Sequence, residues 1–422
     1  MPFPKRWIPI LSFLTAGCVF WLVKPSAPIV SLDSLSLPLQ TGTQYTSPLT
    51  EKGTIEGSQL AQVPFTSAEQ QTQEPELGPV AKVPFRAGTL KAVGASYTKT
   101  IIVPKTIKED VNWIEENFGS DTTIRKVIYV ADDPTAELHP PKNKGHEVMI
   151  YLSYIIDHYN NLSDVNIFMH STRFSWHGND LLDNDAVQMI SRLSSERVQR
   201  EGFMNMRCHW DPGCPAWMHP GAVEEDFNKQ EETMLARTWS ELFPLDSIPE
   251  VLAQPCCAQF AISSDTIRSQ PLARYVFYRD WLLRTNLSDY ISGRIWEYVW
   301  QFIFTGKNVV CPKEHACYCD GFGVCLGGED EYTNFYARRK ERNELESELI
   351  IYHEKLTVYR ESKERGEETD EIEAGKDLEL EGRIEGLKAW EEQKKQLAKE
   401  RGDVAINRAK EAGREWKDGD GF

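Results

Sequence analysis

Between Thr98 and His170 the sequence switches between a strand-like and a helical hydrophobic pattern again and again, and this alternation constrains the fold more than any other feature. TKTIIVPK reads as a strand. Thr106, with Glu109 three residues on, forms a capping-box pattern that opens a helix with Val111, Ile114 and Phe118 on one face, closed by Gly119. RKVIYVADD is a second strand, rich in β-branched residues and ending in the turn-prone Asp132, Asp133 and Pro134. HEVMIYLSYIIDHY is apolar nearly all round, the mark of a buried helix, and DVNIFMH is a third strand ending at His170. Strand, helix, strand, helix, strand in so short a span predicts an α/β fold with a mostly parallel sheet flanked by helices. Further helices are expected over 186–200, behind Asp183 or Asn184 as cap, and around 275–283 and 293–304. AQFAISSDTIRS reads as strand, turn and helix with Ser264 or Asp265 as N-cap.

The flanks differ in kind from this core. After Lys5 and Arg6, residues 7–23 form an apolar run at the short end of what spans a bilayer, closed by Lys24. A cleaved signal peptide is the competing reading, but the run exceeds an ordinary h-region and Pro25 and Pro28 crowd the cleavage position. The expectation is therefore a cytosolic stub and N-terminal transmembrane anchor over 1–24, contacting the membrane through 7–23. The basic residues in front imply a single-pass type II topology with the domain lumenal, in the endoplasmic reticulum or Golgi. Residues 25–95, rich in Ser, Thr, Pro, Gln and Gly, read as a disordered stem. The folded α/β domain spans 96–335, and 336–422 is a charged helical tail. In it Leu345, Leu349, Tyr352, Leu356 and Tyr359 form a heptad-like seam, followed by break signals at RGEETD and at Gly375, Gly382 and Gly386 and a second helix around 387–398. The two helices form a hairpin, pack on the domain, or pair with another chain. A formal charge of −17 excludes a nucleic-acid partner, since a phosphate backbone attracts clustered Lys and Arg.

Eight cysteines fall in the domain: Cys208, Cys214, Cys256, Cys257, Cys311, Cys317, Cys319 and Cys325. In a lumenal compartment an even number points to disulfides rather than to zinc, although four thiolates in CPKEHACYCDGFGVC fit a tetrahedral ion. Adjacent Cys256 and Cys257 are expected to reach different partners, because a bond between neighbours is strained. Asn161 and Asn286, each in an Asn-Leu-Ser sequon, are glycosylation acceptors.

Ligands of an open parallel sheet bind at the carboxyl ends of its strands. That rule picks out Asp132 and Asp133, and then His170 with the loop HSTRFSWHGND, which adds Arg173, His177 and Asp180. Asp and His together suit a divalent cation such as manganese, and such an ion beside an Arg neutralises a diphosphate. The competing reading makes Asp132 and Asp133 a turn and packs His177 beside Trp176. Glu147, a carboxylate in an apolar helix, needs a partner or a role. His209, Asp211, His219 and Glu297 are further acids and imidazoles whose ordinary reading is structural. GxSxG, Walker A, GxGxxG and HExxH are all absent.

The segments KNKGHEVMIYLSYIIDHYNNLSDVNIFMHSTRFSWH, RCHWDPGCP, PCCAQFAIS, SGRIWEYVW and CYCDGFGVC resemble a fungal family of uncharacterised proteins, domain of unknown function 3431, over about Tyr97 to Gly328. Relatives read Trp-His where this chain has Trp300 and Gln301, which takes that position out of a catalytic set. A fainter similarity is to GT-A type glycosyltransferases, carried by the anchor, stem, α/β domain and AQFAISSDTIRS. Their Asp-x-Asp metal motif is missing, and IFMHSTR stands near its place. That similarity implies transfer from a nucleotide-sugar, and the strand-end residues picked out above are then expected to serve it, His170, His177 and Glu147 as catalytic groups and Asp132, Asp133, Arg173 and Asp180 in binding substrate. The alternative is a non-catalytic membrane-tethered scaffold that self-associates through its C-terminal helices.

Overall fold

The structure, a computed structural model, describes residues 85–422. The predicted anchor and most of the stem lie outside the described residues. Among the described residues no helix is long and apolar enough to cross a membrane.

The elements run β1 (Lys99–Lys105), α1 (Asn112–Phe118), β2 (Ile124–Val130), α2 (Val148–His158), β3 (Val165–Phe168), α3 (Ala186–Arg192), α4 (Ser195–Glu201), β4 (Phe203–Asn205), α5 (Leu235–Leu242) and β5 (Phe260–Ser263). They continue with α6 (Ser264–Arg268), α7 (Leu272–Arg284), α8 (Asp289–Glu297), α9 (Trp300–Thr305), a single turn α10 (Glu314–Ala316), α11 (Glu329–Glu364), α12 (Lys376–Gly402) and α13 (Ala405–Glu411). The five strands form one sheet in the order β2-β1-β3-β5-β4. β1 pairs in parallel with β2 and β3, whereas β5 is antiparallel to both β3 and β4. Four strands thus point one way and β5 the other: the sheet is mixed.

Alternation along β1 splits the core in two. Ile102 faces a cluster with the buried α2 residues Val148 to Ile155 and the aromatics Trp296, Trp300 and Phe304. Ile101 and Val103 face the opposite cluster, with Ile114, Phe118, Ile190 and Val198. Tyr332, Phe335 and Ala398, from the ends of α11 and α12 nearest the sheet, belong to that second cluster. The charged tail is rooted in the core.

Several local expectations shift. Glu109 reaches back to the Thr106 N–H (2.6 Å), yet its other oxygen takes the Ser171 hydroxyl, so 106–109 is a pinned loop and α1 starts at Asn112. The predicted helix over 186–200 is two helices. Asp183 and Asn184 have positive φ and sit in the preceding turn; Asp185 caps α3 and Ser194 caps α4. Ser263, rather than Ser264 or Asp265, caps α6 by accepting from Thr266 N. The aromatic stretch over 293–304 likewise splits into α8 and α9. The last residues assigned to the stem, described from Phe85 on, are tied down by Gly88 N to Gln199 O and by Thr266 Oγ1 to Arg86 O.

In the tail, Gly382 and Gly386 lie inside α12, whereas RGEETD falls at the end of α11, with Gly366 in the left-handed region, and Gly375, also left-handed, precedes α12. α11 and α12 form an antiparallel hairpin sealed by Leu345, Leu380 and Ile384 and by pairs such as Arg342–Glu391 (2.7 Å) and Lys388–Glu346 (2.7 Å). The hairpin docks so closely that a Cβ on Gly402 would lie 2.0 Å from Gly323 O.

All eight domain cysteines are paired: Cys208–Cys317, Cys214–Cys311, Cys256–Cys257 and Cys319–Cys325. The expectation that Cys256 and Cys257 seek separate partners is overturned, because Cys208 and Cys214 are both taken by the loop that leads into α11. Beside that loop, Asp320 is 1% exposed and meets Arg197 (3.3 Å), Arg200 (2.9 Å) and Arg414 (2.7 Å). Burial alone would raise its pKa, and the three guanidinium groups hold it below the ordinary range instead. Removing one member of a buried ion network leaves the others unpaired, at a cost of about 3–5 kcal/mol. Asp320→Ala is expected to lower the unfolding free energy by that amount in urea titration, with Asp320→Asn recovering part of it.

Candidate functional site

The chain leaves β1 for β2 on one side and returns from β2 to β3 on the other, so the strand order reverses between β1 and β3. In such sheets the crevice beyond the carboxyl ends at this reversal is where ligands bind. Glu109 follows β1 and Ser171 follows β3, and they meet there at 2.5 Å, with the Trp113 indole donating to Ser171 O (2.8 Å).

His170 projects beside them. Its Nδ1 lies 3.2 Å from Nδ1 of His177, and the two rings cross edge to face. Gln259, just ahead of β5, orients the pair: its Oε1 accepts the His170 N–H (3.0 Å) and its Nε2 donates to His177 O (3.4 Å). Burial, reinforced by His177, pulls His170 down to about 3, so it is a neutral imidazole at physiological pH. His177 is lowered too, by burial and then by Arg207. Trp176, 60% exposed, covers His177 at 4.2 Å between centroids and stacks under the Arg207 guanidinium. Beyond Trp176 opens a cleft of about 380 Å³ lined by Arg207, His209, Asp211 and Glu314.

From the histidines the site extends to the start of α2. His146, at φ 52, and Gly145 turn the chain into the helix, and their N–H groups are held by Asp289 at the start of α8. Glu147 follows. Burial, with Glu297 and Asp289 adding to it, pushes its carboxyl up to about 8, and it has no salt bridge among the described residues. One turn on, the Tyr151 hydroxyl is buried without a partner, and Glu147 is close enough to raise its pKa. Glu297 accepts the Cys257 N–H (2.6 Å) and is itself raised by burial.

The other predicted ligand residues have local duties. Asp132 accepts the Ile107 N–H (2.8 Å), which ties the loop after β1 to the end of β2. Asp133 closes a turn on Thr135 N and Oγ1. Arg173 makes a two-point pair with Asp185. Asp180 lines the cleft beyond Trp176, where other groups already engage it. Burial would raise it, but His209, Arg339, Tyr318 and Tyr336 surround it and hold it well below the carboxylate range. His219 packs against Glu232 (3.2 Å). Asn161 and Asn286 are both exposed. Glu109 and Gln259 belong to the site without having been singled out for it; the only sequence signal was that Glu109 follows a strand.

The raised Glu147 gives a stability signature. The folded chain holds this proton more tightly than the unfolded chain, so the contribution of Glu147 to stability is fully present below the ordinary carboxylate range and is lost as pH rises from there through about 8. Glu147→Gln is expected to flatten that fall in a series of melting temperatures taken between pH 5 and about 8.5. An unchanged slope would place the titrating group elsewhere.

A family profile described as a protein of unknown function, DUF3431, matches residues 101–320, which takes in every residue of this site and stops short of the hairpin. No curated protein and no solved structure matches the chain. The chain therefore belongs to the DUF3431 family.

Proposed function

We propose that the chain is a glycosyltransferase-like enzyme that binds a nucleotide-sugar in the crevice between the carboxyl ends of β1 and β3. The observation that carries this reading is the pair of neutral imidazole nitrogens 3.2 Å apart at the point of strand reversal. With metal–nitrogen bonds of about 2.1 Å, neighbouring ligands of a tetrahedral or octahedral ion lie about 3.0–3.4 Å apart, so His170 and His177 fit a divalent cation. Such an ion would neutralise the diphosphate leaving group. Two imidazoles suit zinc at least as well as manganese, so both belong in any test. Trp176, exposed beside His177, supplies a flat face for a pyranose or a base, and Arg207 supplies charge. Glu147, poised near neutrality, is matched to proton transfer with an acceptor hydroxyl. The similarity to GT-A enzymes enters as analogy, supported by helices on both faces of a sheet with one reversed strand. The fully paired domain cysteines favour an oxidising compartment, consistent with a type II anchor and a lumenal domain.

A ligand at a hundred times its dissociation constant stabilises a protein by about 2.7 kcal/mol. Thermal melting of the purified protein with UDP- and GDP-sugars, with and without manganese or zinc, is expected to rise with one donor and to lose that rise in His170→Ala. No rise with any donor and either ion sinks the proposal.

One observation favours the scaffold reading: Ile350, Val358 and Leu378, on the hairpin, are 61%, 61% and 71% exposed. If that surface pairs chains, sedimentation velocity is expected to show concentration-dependent association that Ile350→Lys with Val358→Lys abolishes. A monomer at every concentration removes this reading.

A further inference from the structure

The segment Pro255 to Gln259 carries a feature that the nucleotide-sugar proposal does not use. Cys256 and Cys257 are joined, and directly after them Cys257 and Ala258 hold φ values of 94° and 47°, in the left-handed region that non-glycine residues avoid. Beside the sulfurs lies Glu297, which accepts one N–H and has no salt bridge among the described residues. Both Sγ atoms and a Glu297 carboxylate oxygen lie within 4.8 Å of one another. In a tetrahedral zinc or cadmium site with metal–sulfur bonds of about 2.3–2.5 Å, such ligands lie about 3.5–4 Å apart. Once unlinked, the two sulfurs can part by side-chain rotation to that spacing, with the Glu297 oxygen already within reach. The other comparable cluster, Cys319, Cys325 and Glu411, is a poorer candidate, because Glu411 already takes the Gly327 N–H and faces Arg401 at 3.7 Å.

We propose that Cys256, Cys257 and Glu297 form a redox-gated site for a thiophilic divalent ion of the zinc group, closed in the disulfide form and opened by a dithiol reductant. One thiolate of the reductant attacks a cysteine sulfur and the S–S bond breaks. The second thiol then releases the reductant as a cyclic disulfide, leaving two electrons and two protons on Cys256 and Cys257. The incoming ion displaces those two protons and is held by two thiolates and a carboxylate, with water completing the shell. Opening the bond also frees the backbone that positions Gln259, so the histidine pair would sense the redox state.

The test uses the full-length chain, reduced with dithiothreitol, desalted without oxygen and titrated with cadmium while thiolate-to-metal absorbance is read. The expected result is one thiolate-bound ion per reduced chain and no thiolate-to-metal absorbance from the oxidised chain, whatever ion its histidine pair holds. Cys257→Ser is expected to abolish binding, and Glu297→Gln, which keeps both thiols and an acceptor for the Cys257 N–H, to shift the titration to higher cadmium. Binding is expected to persist in His170→Ala, which separates this site from the nucleotide-sugar pocket, and in Cys319→Ser with Cys325→Ser. No ion on the reduced chain, equal binding to the oxidised chain, binding that survives Cys257→Ser, or an unshifted Glu297→Gln titration would overturn the proposal.

Discussion

The reversed direction of β5 is the constraint on which the site depends. Because β5 lies antiparallel between β3 and β4, the segment that precedes it, rather than the one that follows, reaches the carboxyl edge of its neighbours. That places Gln259 against His170 and brings the Cys257 N–H to Glu297. A parallel strand in the same place would carry that segment to the far edge and leave the histidines unsupported. The register Phe168↔Phe260 fixes the match to within a residue, and a slip of β5 by one would turn Phe260 out of the core while Phe168 stays registered on β1.

Four carboxylates show how burial acts with and without a neighbouring counter-charge. Asp180 and Asp320 are surrounded by guanidinium, imidazole or phenol groups that outweigh the cost of burial, and both join elements distant in sequence. Asp180 meets Arg339 of α11, and Asp320 meets Arg414 beyond α13. Glu147 and Glu297 are enclosed without a salt bridge among the described residues, so burial prevails, for Glu297 even over the pull of Arg294, and each is pushed up. An enclosed acid without a counter-charge is a standing cost in stability, and such costs persist where a ligand or a proton transfer draws on them. The same residue type is therefore a fastening in one place and only a candidate for ligand binding or proton transfer in another, and its surroundings separate the two.

Those surroundings explain what the sequence could and could not disclose. The β-α-β-α-β core was legible because its signals are local: periods of two and of about 3.6 residues are written within a few positions. His170 was legible as the end of a buried strand, and Glu147 as a charge in an apolar helix. Helix boundaries moved wherever a side chain had a better remote offer, as with Glu109, whose carboxylate bonds Ser171 rather than only capping its own turn. Arg173 and Asp180 looked like ligands because their partners were hidden. Asp185 is near in sequence but gave no sign of pairing, and Arg339 comes from a helix distant in sequence that the fold brings against the core. Gln259 was invisible for the same reason, since its duty exists only through the reversal of β5.

The hairpin shows how far such remote partners reach. Its outer half is held by leucines and exposed ion pairs, each such pair contributing about 0–1 kcal/mol, and could not by itself fix the hairpin's direction. Direction comes from the root, where Tyr332, Phe335 and Ala398 enter the core, Cys325 N bonds Ala398 O at 2.9 Å, and Lys395 meets Asp183 at 2.6 Å. The loop carrying Asp180 and Asp183 is therefore clamped between the hairpin and the sheet, and that loop follows directly from Trp176 and His177. Since the family match ends before the hairpin begins, the clamp is supplied by a part of the chain that the family profile does not cover. His177 is thus held by Gln259 inside the matched region and, through this loop, by contacts outside it.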